Sequence, residues 1–228
     1  MRTNIRNRHD AETYDRYSSS RMGPWDELFL NRAVAVCPPR TGEAPLIVDV
    51  GTGTGVLPVL LSQHPRFAGY RITGLEYFPD MVAQARARVA AAGRADGITI
   101  DEGDAHALPL ADGTVDLALS RGTIHHLADP VKALQEMDRV LKPGGVALIH
   151  DARRDAPAAV LAAFNAMRAE VGYSPTTLDE KYTLDEIAGI VERSGLSGRA
   201  RLFAGESGFG AIGFELCLLK PAAAEGAA

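Results

Sequence analysis

The segment Val48-Asp49-Val50-Gly51-Thr52-Gly53-Thr54-Gly55 constrains the chain more than any other. It joins the apolar run Leu46–Val50 to a helical pattern from Gly55 to about Gln63 through three glycines at alternate positions. Glycines there let the backbone turn sharply and let a ligand approach the helix N-terminus outside the carboxyl edge of a sheet. The same alternation continues downstream. Tyr70–Leu75, Ile98–Ile100, Val115–Ser120 and the nearly all-apolar Val146–Ile149 read as strands. Between them, Pro79–Ala92 reads as a helix with proline in its first turn and Gly93 as its stop. Asp129-Pro130 caps a second helix through Val140, which Lys142-Pro143-Gly144-Gly145 ends. Thr183-Leu184-Asp185-Glu186 matches a capping box for a helix that stops at Gly195, and two last strands lie near Arg199–Phe203 and Ile212–Leu219. Strands alternating with helices predict a doubly wound, mostly parallel α/β sheet with helices on both faces.

At 228 residues the chain fits one domain. A net charge of -5 and a pI near 5.7 give no basic footprint, which argues against a nucleic-acid partner. Cys37 and Cys217 show no CxxC spacing, so neither a disulfide scaffold nor a zinc site is indicated, and a reducing compartment follows. The N-terminus lacks an apolar signal core and no run approaches bilayer length, so the expectation is a cytoplasmic protein with no membrane segment. We expect an N-terminal segment over 1–30, a main domain over 31–220 and a disordered tail over 221–228. Residues 153–182 fit the alternation least and read either as a lid over a substrate or as a surface helix and loop.

The glycine spacing separates two ligand classes. The dinucleotide fingerprint is GxGxxG, but here Val56 stands where its third glycine belongs, which argues against a nicotinamide oxidoreductase. Glu76 ends the second strand at the spacing where a carboxylate accepts hydrogen bonds from ribose hydroxyls. Asp49 lies within an apolar strand, where an unpaired carboxylate is costly, so it is expected to accept bonds from the amides of the glycine loop.

From Val48 to Gly145 the chain resembles the class I S-adenosylmethionine-dependent methyltransferases. Residues 48–55 look like their glycine-rich motif, and Glu76 looks like their ribose carboxylate. Gly103-Asp104-Ala105-His106-Ala107-Leu108-Pro109 is similar to the segment in which an aspartate faces the adenine amino group and the next residue offers a backbone N–H. Asp116–Ser120 followed by His125-His126-Leu127, and then Arg139–Gly145, are similar to the later motifs. The resemblance implies a seven-stranded Rossmann-like sheet whose last strand is antiparallel. It implies S-adenosylmethionine as cofactor, S-adenosylhomocysteine as product, and a cofactor set of Asp49, Gly51, Thr52, Gly53, Gly55, Glu76, Tyr77, Asp104, Ala105 and Ser120. Residues 11–17 resemble the segment that many members fold over the cofactor. Tyr14 or Tyr17 would then close on the sulfonium side and Arg21 would pair with the cofactor carboxylate, the alternative being a tyrosine face packed on the core.

Such chemistry needs no metal, because the sulfonium already activates the methyl group. The protein must align an acceptor and, for a protonated one, remove its proton. His125 and His126 follow the fourth strand and His150 follows the fifth, which makes them the candidate bases at the carboxyl edge; a purely structural role for the pair is the alternative. Arg121, Arg153 and Arg154 lie near the same edge and are candidates for an anionic group on the substrate. The reading is a methyltransferase, monomer or homodimer, for a small-molecule acceptor methylated on O, N, C or S. The alternative is a methyltransferase-like protein that uses the bound cofactor for another reaction or only binds it.

Overall fold

In β1 (Leu46–Val50) all five residues are buried, as a strand covered on both faces requires. Its side chains divide between two cores. Leu46, Val48 and Val50 join one, and Ile47 joins the other. β5 (Leu141–Ala152) divides likewise, with Ala147 and Ile149 on the first side and Val146 and Leu148 on the second. The computed structural model describes residues 23–39, 45–170, 175–176, 178–205 and 208–223.

With β2 (Arg71–Glu76), β3 (Ile98–Glu102), β4 (Val115–Arg121), β6 (Ala200–Ala204) and β7 (Gly213–Leu219), the sheet has seven strands in the order β3-β2-β1-β4-β5-β7-β6. β1 to β5 run parallel, and β7 is antiparallel to both β5 and β6. The sequence predicts this architecture, except that β5 starts at Leu141 and so includes Lys142–Gly145.

Helices α1 (Gly23–Val36), α2 (Val56–Gln63) and α3 (Pro79–Ala91) bury Phe29, Leu57, Leu61, Val82, Ala85 and Val89 against one face. Two further helices, α4 (Pro130–Val140) and α6 (Leu184–Arg193), bury Leu134, Met137, Ile187, Ile190 and Val191 against the other. Leu61 and Leu134 are fully buried, and truncating such a leucine to alanine costs about 2–5 kcal/mol. Helix α5 (Ala158–Glu170) contributes Phe164 to a third cluster with Ala152, Leu178 and Ile212, against which Trp25 of α1 packs. The caps form as the sequence predicts. Asp129 accepts from Lys132 N at 3.0 Å, and Thr183 and Glu186 form the reciprocal capping box. Helix α1 runs across the position 30/31 that the sequence suggests as a boundary.

β1 lies between β2 and β4, so chain order reverses there and the carboxyl ends of β1 and β4 open a crevice. Among the described residues no helix is long and apolar enough to cross a membrane.

Candidate active site

The glycine loop sits in that crevice, pinned to β2. Gly51, Gly53 and Gly55 have φ of 74°, 56° and 78°, in the left-handed region. The amides of Gly51 and Thr52 donate to Leu75 O at 2.8 and 3.0 Å, and Gly53 N donates to Glu76 Oε2 at 3.0 Å. This corrects the expectation for Asp49. Its Oδ2 accepts from the Thr52 hydroxyl at 2.6 Å, while the loop amides turn to β2, whose Leu75 pairs with Val50. Burial raises the Asp49 pKa to about 6, outweighing the Thr52 bond and the Arg121 charge. Ser120 is buried beneath the loop and donates to Val50 O at 2.9 Å.

Glu76 is buried at the end of β2, and its Oε1 accepts from the amides of Tyr77 and Phe78 at 2.9 and 3.1 Å. Burial raises its pKa although three amides pull the other way. Oε2 holds one amide and keeps a second acceptor position. Tyr77 is exposed beside it.

Asp104 and Ala105 lie on the loop between β3 and β4. Asp104 Oδ1 accepts from His106 N at 2.9 Å and lies 2.6 Å from His106 Nδ1. Asp129 N donates to His106 Nε2 at 3.1 Å, and an amide can only donate. Nε2 therefore carries the lone pair and Nδ1 the proton, which it gives to Asp104 Oδ1, leaving Oδ2 open. The rest of the loop hangs on α4. Glu136 Oε2 accepts from Leu108 N at 3.0 Å, and the Arg139 guanidinium donates to Leu108 O at 3.0 Å and Leu110 O at 2.8 Å. Arg139, then Lys132, draws the Glu136 pKa down to about 2 against burial.

The candidate bases lie on the next segment. Thr123 Oγ1 donates to Gly51 O at 3.3 Å, which ties that segment to the glycine loop. His125 is buried, with Nδ1 2.6 Å from Asp151 Oδ2 at the end of β5. Lys181 Nζ lies 2.6 Å from His125 Nε2, 3.0 Å from Nδ1 and 3.5 Å from Asp151 Oδ1. Burial alone would raise the Asp151 pKa, but His125 and Lys181 hold the carboxyl well below the usual carboxylate range. The His126 ring lies 3.7 Å from that of His125 between centroids and keeps an exposed edge. Desolvation of the ring, then His125 and Lys181, lowers its pKa.

His150 lies apart from this group. It is buried, with ring centroids 5.2 Å from Trp25 and 5.9 Å from Phe29. That burial, then Arg121, lowers its pKa to about 4 and keeps the ring neutral. The three arginines have partners: Arg121 pairs with buried Asp26, Arg153 with Asp155, and Arg154 with Glu186. The structure thus brings His125 and His126 together and sets His150 among aromatic rings. Tyr14, Tyr17 and Arg21 lie outside the described residues. Sequence reasoning missed Lys181 and the Glu136–Arg139 clamp, since both act across distant segments. The pairing of His150 with Asp151 in sequence, at the end of β5, is the one signal pointing to Asp151.

Residues 48–149 match the family model described as "Methyltransferase domain". Among curated proteins, the chain is 38% identical over 103 residues to a chloroplastic 2-methyl-6-phytyl-1,4-hydroquinone methyltransferase of Oryza sativa subsp. japonica, covering 45% of this chain and 29% of that protein. It is 39% identical over 99 residues to a demethylmenaquinone methyltransferase of Thermus thermophilus, covering 43% of each. These matches thus span less than half of either relative. Among solved structures, a SAM-dependent methyltransferase from Aquifex aeolicus aligns with a TM-score of 0.68 at 22% identity, covering 93% of this chain and all of that one. The matched segment carries the glycine loop, Glu76, Asp104 and the His125-His126 pair, so across residues 48–149 this chain is similar to the methyltransferase-domain family, and its seven-stranded sheet has the fold of the Aquifex aeolicus structure.

Proposed function

We propose that the chain binds S-adenosylmethionine on the Gly51–Gly55 loop and transfers its methyl group to a small-molecule acceptor at the carboxyl edge of β4 and β5. The observation that carries this reading is the loop itself, three left-handed glycines at the switch point and pinned to the end of β2. The residues present fit the cofactor. A Cβ on Gly51 would fall 2.3 Å from Thr123 Cγ2, so the turn stays close only with glycine there. Glu76 keeps an acceptor position at the ribose side, and Asp104 Oδ2 is open at the adenine side. Gly51, Thr52, Gly53 and Gly55 would frame the amino-acid end, with Tyr77, Ala105 and Ser120 around the nucleoside.

When bound, S-adenosylmethionine supplies a methyl group that its sulfonium already activates. The protein's part is to orient the acceptor, keep water out and take a proton where the acceptor has one. His125 is the base in this account because Asp151 fixes its Nδ1 and leaves Nε2 as the acceptor nitrogen. The relatives' names specify hydroquinone and demethylmenaquinone acceptors. Hydroquinones therefore lead the acceptor panel for this chain, with amines and thiols beside them. Incubation of the full chain with methyl-labelled cofactor and that panel, read by mass spectrometry, tests the proposal. A labelled acceptor together with S-adenosylhomocysteine supports it. Release of methylthioadenosine, or a rearranged product with no methyl gain, would point to another use of the bound cofactor.

A further inference from the structure

Lys181 stands where no part of the cofactor account needs a charge. It projects from the short stretch before α6, which several bonds hold. Lys181 N donates to Leu178 O at 2.9 Å, and Leu178 is buried with a left-handed φ of 61°. Arg154 anchors the same stretch from the end of β5, its amide donating to Tyr182 O and its guanidinium to Lys181 O, each at 2.9 Å. A non-glycine residue in that conformation is strained, and such strain persists only where the surroundings enforce it. The result is an ammonium, 18% exposed, set against His125.

The bonds within the cluster define what can enter it. Asp151 Oδ2 takes the amide and Nδ1 of His125, at 3.3 and 2.6 Å, and Oδ1 takes Ala152 N at 2.7 Å. Both carboxylate oxygens are engaged inside the protein. Lys181 Nζ lies 2.6 Å from His125 Nε2 and 3.0 Å from Nδ1, over the face of the ring, which leaves the in-plane lone pair of Nε2 as an acceptor beside the ammonium. A hydroxyl both donates and accepts, so it can bridge the two: its proton goes to the Nε2 lone pair, and its oxygen takes an N–H of Lys181. A cationic amine brings only donors, meets the Lys181 charge and finds no free carboxylate in the cluster.

We propose that Lys181 is a further catalytic residue, the counter-ion that holds the oxygen of an ionisable hydroxyl, phenolic or enolic, on the acceptor, while His125, oriented by Asp151, takes its proton. This rests on the methyl-transfer reading above. The O–H bond breaks with its proton on Nε2 and its electron pair on oxygen, beside the ammonium. An electron pair of that anion, from the oxygen or from the carbon conjugated with it, forms the bond to the methyl carbon as the C–S bond breaks with its pair on sulfur. The His125 proton then leaves to solvent.

The test uses 4-nitrophenol, whose phenolate absorbs at longer wavelength than the phenol. The dye is titrated into the full chain saturated with S-adenosylhomocysteine, at a pH where free dye is mostly protonated. Wild type is expected to develop the phenolate band. Lys181→Met loses the band and weakens dye binding about ten- to a hundredfold, the range for removing a charge-assisted hydrogen bond. Lys181→Arg restores the band, a rescue that a purely structural role would not give. Calorimetry of S-adenosylhomocysteine on each variant serves as the fold control, and benzylamine is the cationic comparison. The assignment is overturned if cofactor product binds but wild type shows no band, if Lys181→Met keeps it, or if benzylamine binds more tightly than the phenol. Absence of heat with S-adenosylhomocysteine on wild type contradicts the methyl-transfer reading itself, and this assignment with it.

Discussion

His150 should make the fold sensitive to acid in a calculable way. Burial against Trp25 and Phe29, then Arg121, lowers its pKa from 6.5 to about 4. The folded state holds the ring neutral, so between those two values the unfolded chain binds more protons. Stability due to His150 is therefore intact above pH 6.5 and is lost as pH falls toward 4. At 1.36 kcal/mol per unit, going from about pH 7.5 to about pH 5 costs about 2 kcal/mol. His150→Leu removes the titration without enlarging the side chain. A larger ring would press on Gly213, where even a Cβ would lie 2.9 Å from His150 Nε2. Asp49, whose raised pKa acts in the opposite direction, is common to both proteins and cancels in their difference. Urea unfolding of wild type and variant at the two pH values measures the effect. Wild type should lose about 2 kcal/mol more than His150→Leu on acidification. Equal losses would refute the assignment of a buried, neutral His150.

Three further outcomes follow from the local geometry. Gly55 has a φ of 78° and a Cβ there would lie 2.9 Å from Ala85 Cβ, so Gly55→Ala should cost about 1–3 kcal/mol in urea unfolding, and an unchanged midpoint would contradict the loop packing. His106→Ala frees Asp104 to rotate and should weaken S-adenosylhomocysteine about tenfold by calorimetry, while the 6-oxo analogue, which lacks the adenine amino group, binds both proteins alike; equal loss for both ligands would remove Asp104 from adenine recognition. Thr183→Ala breaks the capping box of α6 and should cost about 1 kcal/mol by thermal or urea unfolding, with no loss expected only if the cap is not formed.

What the sequence made legible is what is local in it. The glycine loop, the Asp129 cap and the Thr183–Glu186 box each depend on a few consecutive residues, and each forms as read. The doubly wound, mostly parallel sheet follows from the alternation of strands and helices, and the antiparallel last strand is what the family resemblance implied. The Asp49 expectation failed because it treated the loop in isolation, whereas parallel register brings the Leu75 carbonyl to the Gly51 and Thr52 amides. The proposed acceptor edge was legible only as a list of histidines. Asp151 reaches His125 because Arg121 and His150 pair across β4 and β5, and Lys181 arrives from 56 residues away on a strained turn. The Arg139 clamp on Leu108 and Leu110 is likewise long-range, although Arg139 belongs to a stretch that the family resemblance had marked.

Direct titration calorimetry of the full chain tests whether the Gly51–Gly55 loop with Glu76 is a site for S-adenosylmethionine. S-adenosylmethionine and S-adenosylhomocysteine should each bind one site and raise the Tm as their concentration rises, NAD should give no heat, and Glu76→Ala should weaken both sulfur ligands. Binding of NAD, or no heat with either sulfur ligand, would contradict it.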